Sequence, residues 1–261
     1  MDVESALKNL MQKMHLKGYS SHTIKNYEYL IKRLIKFLNG REITEEGIRQ
    51  FLLSLKEECS SNTIYTYASC IKNFLEFMNL DIDIVLPKTK EKLPECLTKA
   101  EIERLLNSIE NERDLLIIRL LYATGMRVSE LLTIEKGDIE ENRIKIRKGK
   151  GKKERIVYVD NKTIQLLNPY IRRDGLIFTI TARTIQLLVK KYVKKAGITK
   201  KVTPHTLRHT FATHLLENGA SIEVIRDLLG HASLSTTQIY THVTDRHKKE
   251  TYERFHPLNR W

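Results

Sequence analysis

Apolar residues recur at three- and four-residue spacing over Val3–Lys17, Ser20–Leu38, Thr44–Glu58 and Ser61–Leu80, the period of helices that bury one face. Gly18 and Gly40 punctuate the breaks, and Ser20 and Thr44 precede Thr23 and Gly47 by three residues, as helix starts require. No run here alternates long enough to be a strand, so the stretch predicts a small helical bundle. Tyr19, Tyr27, Tyr29, Tyr65 and Tyr67 fall at helical spacing and are expected as core or rim packing rather than base-stacking platforms. A second helical stretch is expected from Thr98 to Ala123. The period then changes: Arg143–Arg147 reads RIKIR and Arg155–Val159 reads RIVYV, both alternating as half-buried strands. Helical periodicity resumes from Lys162. The expected fold class is therefore mainly α with a small antiparallel β-sheet (α+β) in the second half and a helical bundle in the first.

Pro87 and Pro94 bracket a lysine-rich polar stretch within LPKTKEKLPECLT, residues 86–98, which reads as an extended linker. The boundary falls near residue 90, giving domains at 1–86 and 95–261 joined by 87–94. Across 261 residues there are 45 Lys and Arg against 32 Asp and Glu, a net charge of +13 and a pI near 9.5. Only +2 of this lies in residues 1–90, so the second domain carries +11. Such a surface attracts a polyanion through counterion release, and nucleic acid is the leading partner. Cys59, Cys70 and Cys96 form neither a disulfide framework nor a CxxC knuckle. The first twenty residues carry charge every few positions with no apolar core, and no apolar run reaches membrane-spanning length, so a cytoplasmic protein without membrane contact is expected.

Five places could carry chemistry. In ATGMRVSELL, Gly125 ends one helix and Arg127 opens the next, with Glu130 three residues on and on the same face. An arginine held by that carboxylate presents a planar fork matched to two phosphate oxygens; alone, the pair is an ordinary ion pair. Residues 143–155, RIKIRKGKGKKER, hold eight basic residues and one acid, and Gly149 and Gly151 permit a tight turn against a phosphate backbone. The spacing does not satisfy a P-loop. Thr203 is an expected N-cap and Pro204 a first helical residue, placing His205 and Arg208 in and just beyond the first turn, where anions are favoured. A metal site from His205, His209 and His214 competes, but no carboxylate lies in that stretch and HExxH is absent. Ser221–Leu229 reads as an amphipathic helix ended by a left-handed Gly230, with His231 just beyond. Ser235 and Gln238 have capping-box spacing and start a short helix carrying Tyr240.

Two arginines, a lysine loop, two histidines and a tyrosine in a basic domain suit phosphodiester chemistry. Guanidinium groups offset the negative charge that develops on the non-bridging oxygens, and a tyrosine hydroxyl becomes a nucleophile where positive charge or a base assists it. The order Arg127, Lys150, His205-x-x-Arg208, His231, Tyr240, with the stretches ATGMRVSELL, GKGKKERIV, LPECLTKAEIERLL and HTLRHTFATHLLENGASIEVIRDLLGHASLSTTQIYTHV, closely resembles the tyrosine recombinase family, and its Xer-type site-specific recombinases in particular. The resemblance is strong over residues 94–243 and looser in the helical first part.

The resemblance implies that Tyr240 attacks a DNA phosphate to give a 3′-phosphotyrosyl link. It makes Arg127 and Arg208 a clamp on the non-bridging oxygens, Lys150 the acid for the leaving 5′ oxygen, His205 a general acid/base and His231 a hydrogen-bond donor to the phosphate. Glu130 falls at the family's accessory acidic position. Lys148, Lys152, Lys153 and Arg155 are expected as DNA contacts. The resemblance further implies a two-domain C-shaped clamp on double-stranded DNA with an inverted-repeat site, with residues 1–86 as a core-binding domain. A homotetramer on two sites would be joined by the tail Thr241–Trp261, and a partner recombinase or translocase is conceivable. No cofactor and no metal are expected, the location is cytoplasmic and nucleoid-associated, and the role is resolution of chromosome or plasmid dimers. Alternatives are a mobile-element integrase, type IB topoisomerase-like relaxation and a catalytically silent DNA-binding protein.

Overall fold

The fold is taken from a computed structural model that describes residues 2–87, 95–147, 154–171 and 175–230. The chain divides into two compact units, Met1–Lys92 and Leu93–Trp261. The expected linker falls outside the described residues from position 88 to 94.

In the first unit α1 (Val3–Leu16), α2 (Ser21–Leu38), α3 (Glu45–Ser54) and α4 (Ser61–Met78) pack as a bundle. Side-chain oxygens of Ser20, Thr44 and Ser60 accept from the backbone N–H three residues on, at 3.1, 3.1 and 3.3 Å, supplying partners that a helix N-terminus otherwise lacks. Ala6, Leu7, Leu10 and Met14 of α1 meet Ile31 and Leu34 of α2, Phe51 of α3 and Ile71 and Phe74 of α4 in one core. The α3 helix stops at Ser54, four residues before the expected Glu58, and turns occupy the interval. The tyrosines divide. Tyr67 is buried edge-on to Phe51 and accepts from Arg33 Nη1 at 3.1 Å, and Tyr27 accepts from Asn73 at 2.7 Å, whereas Tyr19, Tyr29 and Tyr65 are exposed.

The second unit is built around α6 (Glu112–Thr124), preceded by α5 (Lys99–Asn107). The run DLLIIRLLYAT is buried on most of its circumference, as expected of a central helix. Against it pack the short α7 (Val128–Leu131), α8 (Asn161–Ile171), α9 (Ala182–Lys195) and α10 (Pro204–Glu217); α11 (Ile222–Leu229) packs on α10. The sheet is antiparallel in the order β1 (Ile139–Glu140), β2 (Arg143–Ile146), β3 (Arg155–Tyr158), with Ile144 opposite Val157 and Ile146 opposite Arg155. Ile144, Ile146 and Val157 face the core, the alternation expected of half-buried strands. The fold class read from the chain, mainly α with a small antiparallel sheet, is the observed one. β1 adds a third strand too short to leave a period in the sequence. Among the described residues no helix is long and apolar enough to cross a membrane.

Candidate active site

Five chain segments bring their ends together in the second unit: the C-terminus of α6, the start of α7, the root of the β2–β3 hairpin, the first turns of α10 and the C-terminus of α11. The close approach depends on Gly125, which caps α6 at φ +60°. A Cβ there would lie 2.4 Å from Phe211 Cδ1 and 2.9 Å from Leu229 Cδ2, distances no real Cβ tolerates. Glycine is therefore required both for the left-handed backbone and for packing α6 against α10 and α11.

Glu130 is the hub. Its Oε2 accepts from the Arg127 backbone N–H at 2.7 Å and from Arg155 Nη2 at 2.7 Å. Its Oε1 accepts from Arg127 Nη1 at 3.0 Å and from Arg155 Nη1 at 2.9 Å. Four donors occupy the four acceptor positions of one carboxylate. The side chains of Arg127, Glu130 and Arg155 are 25%, 14% and 11% exposed, so the cluster is largely withdrawn from solvent. Burial pushes the Glu130 carboxyl up, but the Arg155 hydrogen bonds, the Arg127 N–H and the charges of both guanidinium groups outweigh it and hold it at about 2. The carboxylate is thus ionised throughout the working pH range. Arg127 Nη2 and Nε have no hydrogen-bond partner among the described residues.

Arg208, on α10, is buried. Thr203 caps that helix, accepting from Thr206 N at 3.2 Å with Pro204 in the first turn, as expected. The Arg208 guanidinium donates through Nη1 to the Gly125 carbonyl and through Nη2 to the Leu229 carbonyl at 2.7 Å. Both acceptors lie at helix C-termini, where unpaired carbonyls and the helix dipole favour a cation. The arginine is therefore fixed by backbone from two helices, next to the segment carrying Arg127. His205, at the N-terminus of the same helix, is exposed.

The structure thus gathers Arg127, Glu130 and Arg208 as the sequence suggested. It also corrects one expectation: Arg155, grouped with the hairpin cations as a DNA contact, points inward. Its Nε donates to the Leu228 carbonyl at 2.7 Å and both terminal nitrogens donate to Glu130, so its bidentate fork is spent on a carboxylate inside the protein rather than on a phosphate. No spacing rule connects position 155 to 130 or 228, and a backbone carbonyl has no sequence signature. Arg147 is likewise held by Glu135 at 2.7 Å and by Asp138. Lys148, Lys150, Lys152, Lys153, His231 and Tyr240 lie outside the described residues, as do the capping box at Ser235 and the tail. His214, weighed as a metal ligand, pairs through Nδ1 with the Tyr122 hydroxyl at 2.9 Å. Among the described residues no group of three His, Cys, Asp or Glu is placed to hold a metal ion.

Residues 95–247 match the phage integrase family and residues 7–62 match the phage integrase N-terminal SAM-like domain. Tyrosine recombinase XerA of Pyrococcus horikoshii is 37% identical, over 92% of this chain and 90% of its own length. Tyrosine recombinase XerD of Halalkalibacterium halodurans is 34% identical over 98% of this chain and 99% of its own. A XerH site-specific recombinase solved in a pre-cleavage complex with its difH substrate superposes with a TM-score of 0.75 at 25% identity, covering 95% of this chain and 82% of that one. The chain belongs to the phage integrase family, as a tyrosine recombinase of the Xer type. Its activity is site-specific recombination, the catalytic cleavage and rejoining of DNA.

Proposed function

We propose that cleavage runs through a 3′-phosphotyrosyl intermediate at the Glu130-centred site, with Tyr240 as nucleophile. The Tyr240 oxygen attacks phosphorus and its proton passes to His205. The bond to the 5′ oxygen breaks, and that oxygen takes a proton from Lys150. Arg127 and Arg208 neutralise the non-bridging oxygens as charge builds on them, and His231 adds a hydrogen bond. The phosphodiester energy is kept in the tyrosyl link, so a 5′-hydroxyl from a second duplex reverses the step without ATP or metal. Lys148, Lys152 and Lys153 hold flanking phosphates; residues 1–86 form a core-binding domain that closes with residues 95–261 as a C-shaped clamp on an inverted-repeat duplex. Four protomers joined by the C-terminal tail synapse two sites, and dimer resolution in the cytoplasm, at the nucleoid, is the role.

The observation that carries this reading is the pair of immobilised guanidinium groups: Arg127 fixed by Glu130 and Arg208 fixed by two helix C-termini meeting at Gly125. Such donors need little reorganisation when charge develops on a phosphate. Binding of the XerH relative to its difH substrate supports the DNA partner. The test is incubation with supercoiled plasmid carrying host DNA fragments in chelator, followed by detergent denaturation and sequencing of covalently held DNA. The expected result is adducts at one inverted repeat, absent in Tyr240→Phe. Adducts scattered without sequence preference, or persisting in Tyr240→Phe, overturn it.

A further inference from the structure

The root of the β2–β3 hairpin is anchored by a residue whose three donor nitrogens tie two other elements to it. Arg155 opens β3, pairs in register with Ile146 and so sits at the hairpin root. Its fork meets Glu130 of α7 with two parallel bonds, and its Nε meets the last turn of α11 at Leu228. We propose that Arg155 is a positioning residue for DNA cleavage: it locks the hairpin root, the Arg127–Glu130 pair and the C-terminus of α11 into one frame, and it keeps Glu130 from drawing Arg127 away from the phosphate. This rests on the cleavage reading above.

The geometry supports both halves of the claim. Glu130 carries one negative charge and two guanidinium partners, so the trio retains one positive charge. With Arg155 absent, two acceptor positions of Glu130 open, and the fork of Arg127 is the nearest donor set able to fill them in bidentate fashion. Arg127 would then face its carboxylate instead of a substrate. The second half concerns α11, after which the chain runs to His231 and Tyr240. Its last two carbonyls are held by separate arginines, Leu228 by Arg155 and Leu229 by Arg208. The next residue, Gly230, has φ +63°, and a Cβ there would stand 3.0 Å from Arg155 Nη1 and 3.1 Å from its Cδ. The Arg155 side chain therefore packs closely on Gly230, a position whose left-handed backbone favours glycine. Lysine cannot replace it: a point charge on a flexible stem satisfies one direction, not an in-plane fork and a side donor together.

The test compares wild type, Arg155→Lys, Arg155→Gln, Glu130→Gln and the double variant Glu130→Gln/Arg155→Gln. Single-turnover covalent cleavage of a nicked site at saturating protein is measured beside DNA affinity, below each variant's melting temperature. Arg155→Gln is expected to slow cleavage about ten- to a hundredfold with affinity within about threefold, Arg155→Lys not to rescue it, and the double variant to cleave no more slowly than Arg155→Gln, since neutral Glu130 no longer competes for Arg127. Wild-type cleavage by Arg155→Gln overturns the proposal, as does a loss confined to affinity, which would make Arg155 a DNA contact. If wild type itself forms no adduct, the cleavage reading has failed instead. Amide hydrogen exchange then reads the frame alone: Arg155→Gln must speed exchange both in α7 and in the last turn of α11 while leaving α2 and α4 unchanged, and unchanged exchange at either place overturns it.

Discussion

Glu130 makes the stability of the second unit depend on acid in a calculable way. Its carboxyl stands at about 2 in the folded protein against an ordinary value of 4.5. A depressed carboxylate contributes stability that is complete above its unfolded value and is lost as pH falls through the folded one, because the unfolded chain takes up the proton first. The gap corresponds to about 3 kcal/mol at neutral pH, and with a side chain only 14% exposed little of it is screened by solvent. Replacing Glu130 with Gln removes the charge and turns an amide N–H2 toward guanidinium donors, so the variant forfeits this contribution or slightly more. Urea unfolding followed by far-ultraviolet circular dichroism measures the difference between wild type and Glu130→Gln from about pH 7 down to about pH 3. The difference is expected to be about 3 kcal/mol at the upper end and to shrink as pH drops below the ordinary carboxylate value. A difference that stays constant across that range would show that the carboxylate is not held in the ion cluster.

Gly125→Ala should destabilise the second unit by about 2–4 kcal/mol, the sum of a left-handed backbone penalty and an overpacked contact with Phe211 and Leu229; a lowered thermal midpoint checks it, and an unchanged one contradicts the close approach. Lys150→Ala should slow cleavage of ordinary DNA but regain most of its rate on a substrate whose bridging 5′ oxygen is replaced by sulfur, because a thiolate leaves without protonation. Equal loss on both substrates would remove Lys150 from the role of acid.

Helices and strands were legible where burial is one-sided. α1, α2 and α4 begin and end within two residues of the expected limits because their apolar stripes and caps are local signals. α6 was readable as apolar but not as the centre of a unit, since a helix buried on most of its surface has no stripe to orient it. The site divides the same way. Arg127 is the N-cap residue of α7 and Glu130 its third residue, so their pairing is a local helix-start contact. Arg208 and Arg155 reach carbonyls 83, 21 and 73 residues away, and nothing in their neighbourhoods announces those partners. In the sequence Arg155 falls in one basic run with Lys148, Lys152 and Lys153; its place opposite Ile146 in the sheet, turned toward Glu130, has no signature in that run.

On the reading proposed above, a carboxylate in a site that attracts phosphate looks counterproductive, yet the charges explain it. Two guanidinium groups gathered in low dielectric repel one another and, unpaired, would be desolvated at several kcal/mol each. Glu130 removes that penalty for Arg127 and Arg155, while the helix C-termini at Gly125 and Leu229 supply partial negative charge to Arg208. Each arginine is therefore fixed during folding rather than at the moment of reaction. Within the Glu130 trio the compensation is incomplete: one full negative charge stands against two guanidinium groups. In the reaction proposed above, the residual positive potential is what an incoming phosphate meets, and it is held in place by the contacts that hold the Glu130 carboxyl low. Stability and catalysis consequently share the same hydrogen bonds, and substitutions at Glu130 or Arg155 should move both.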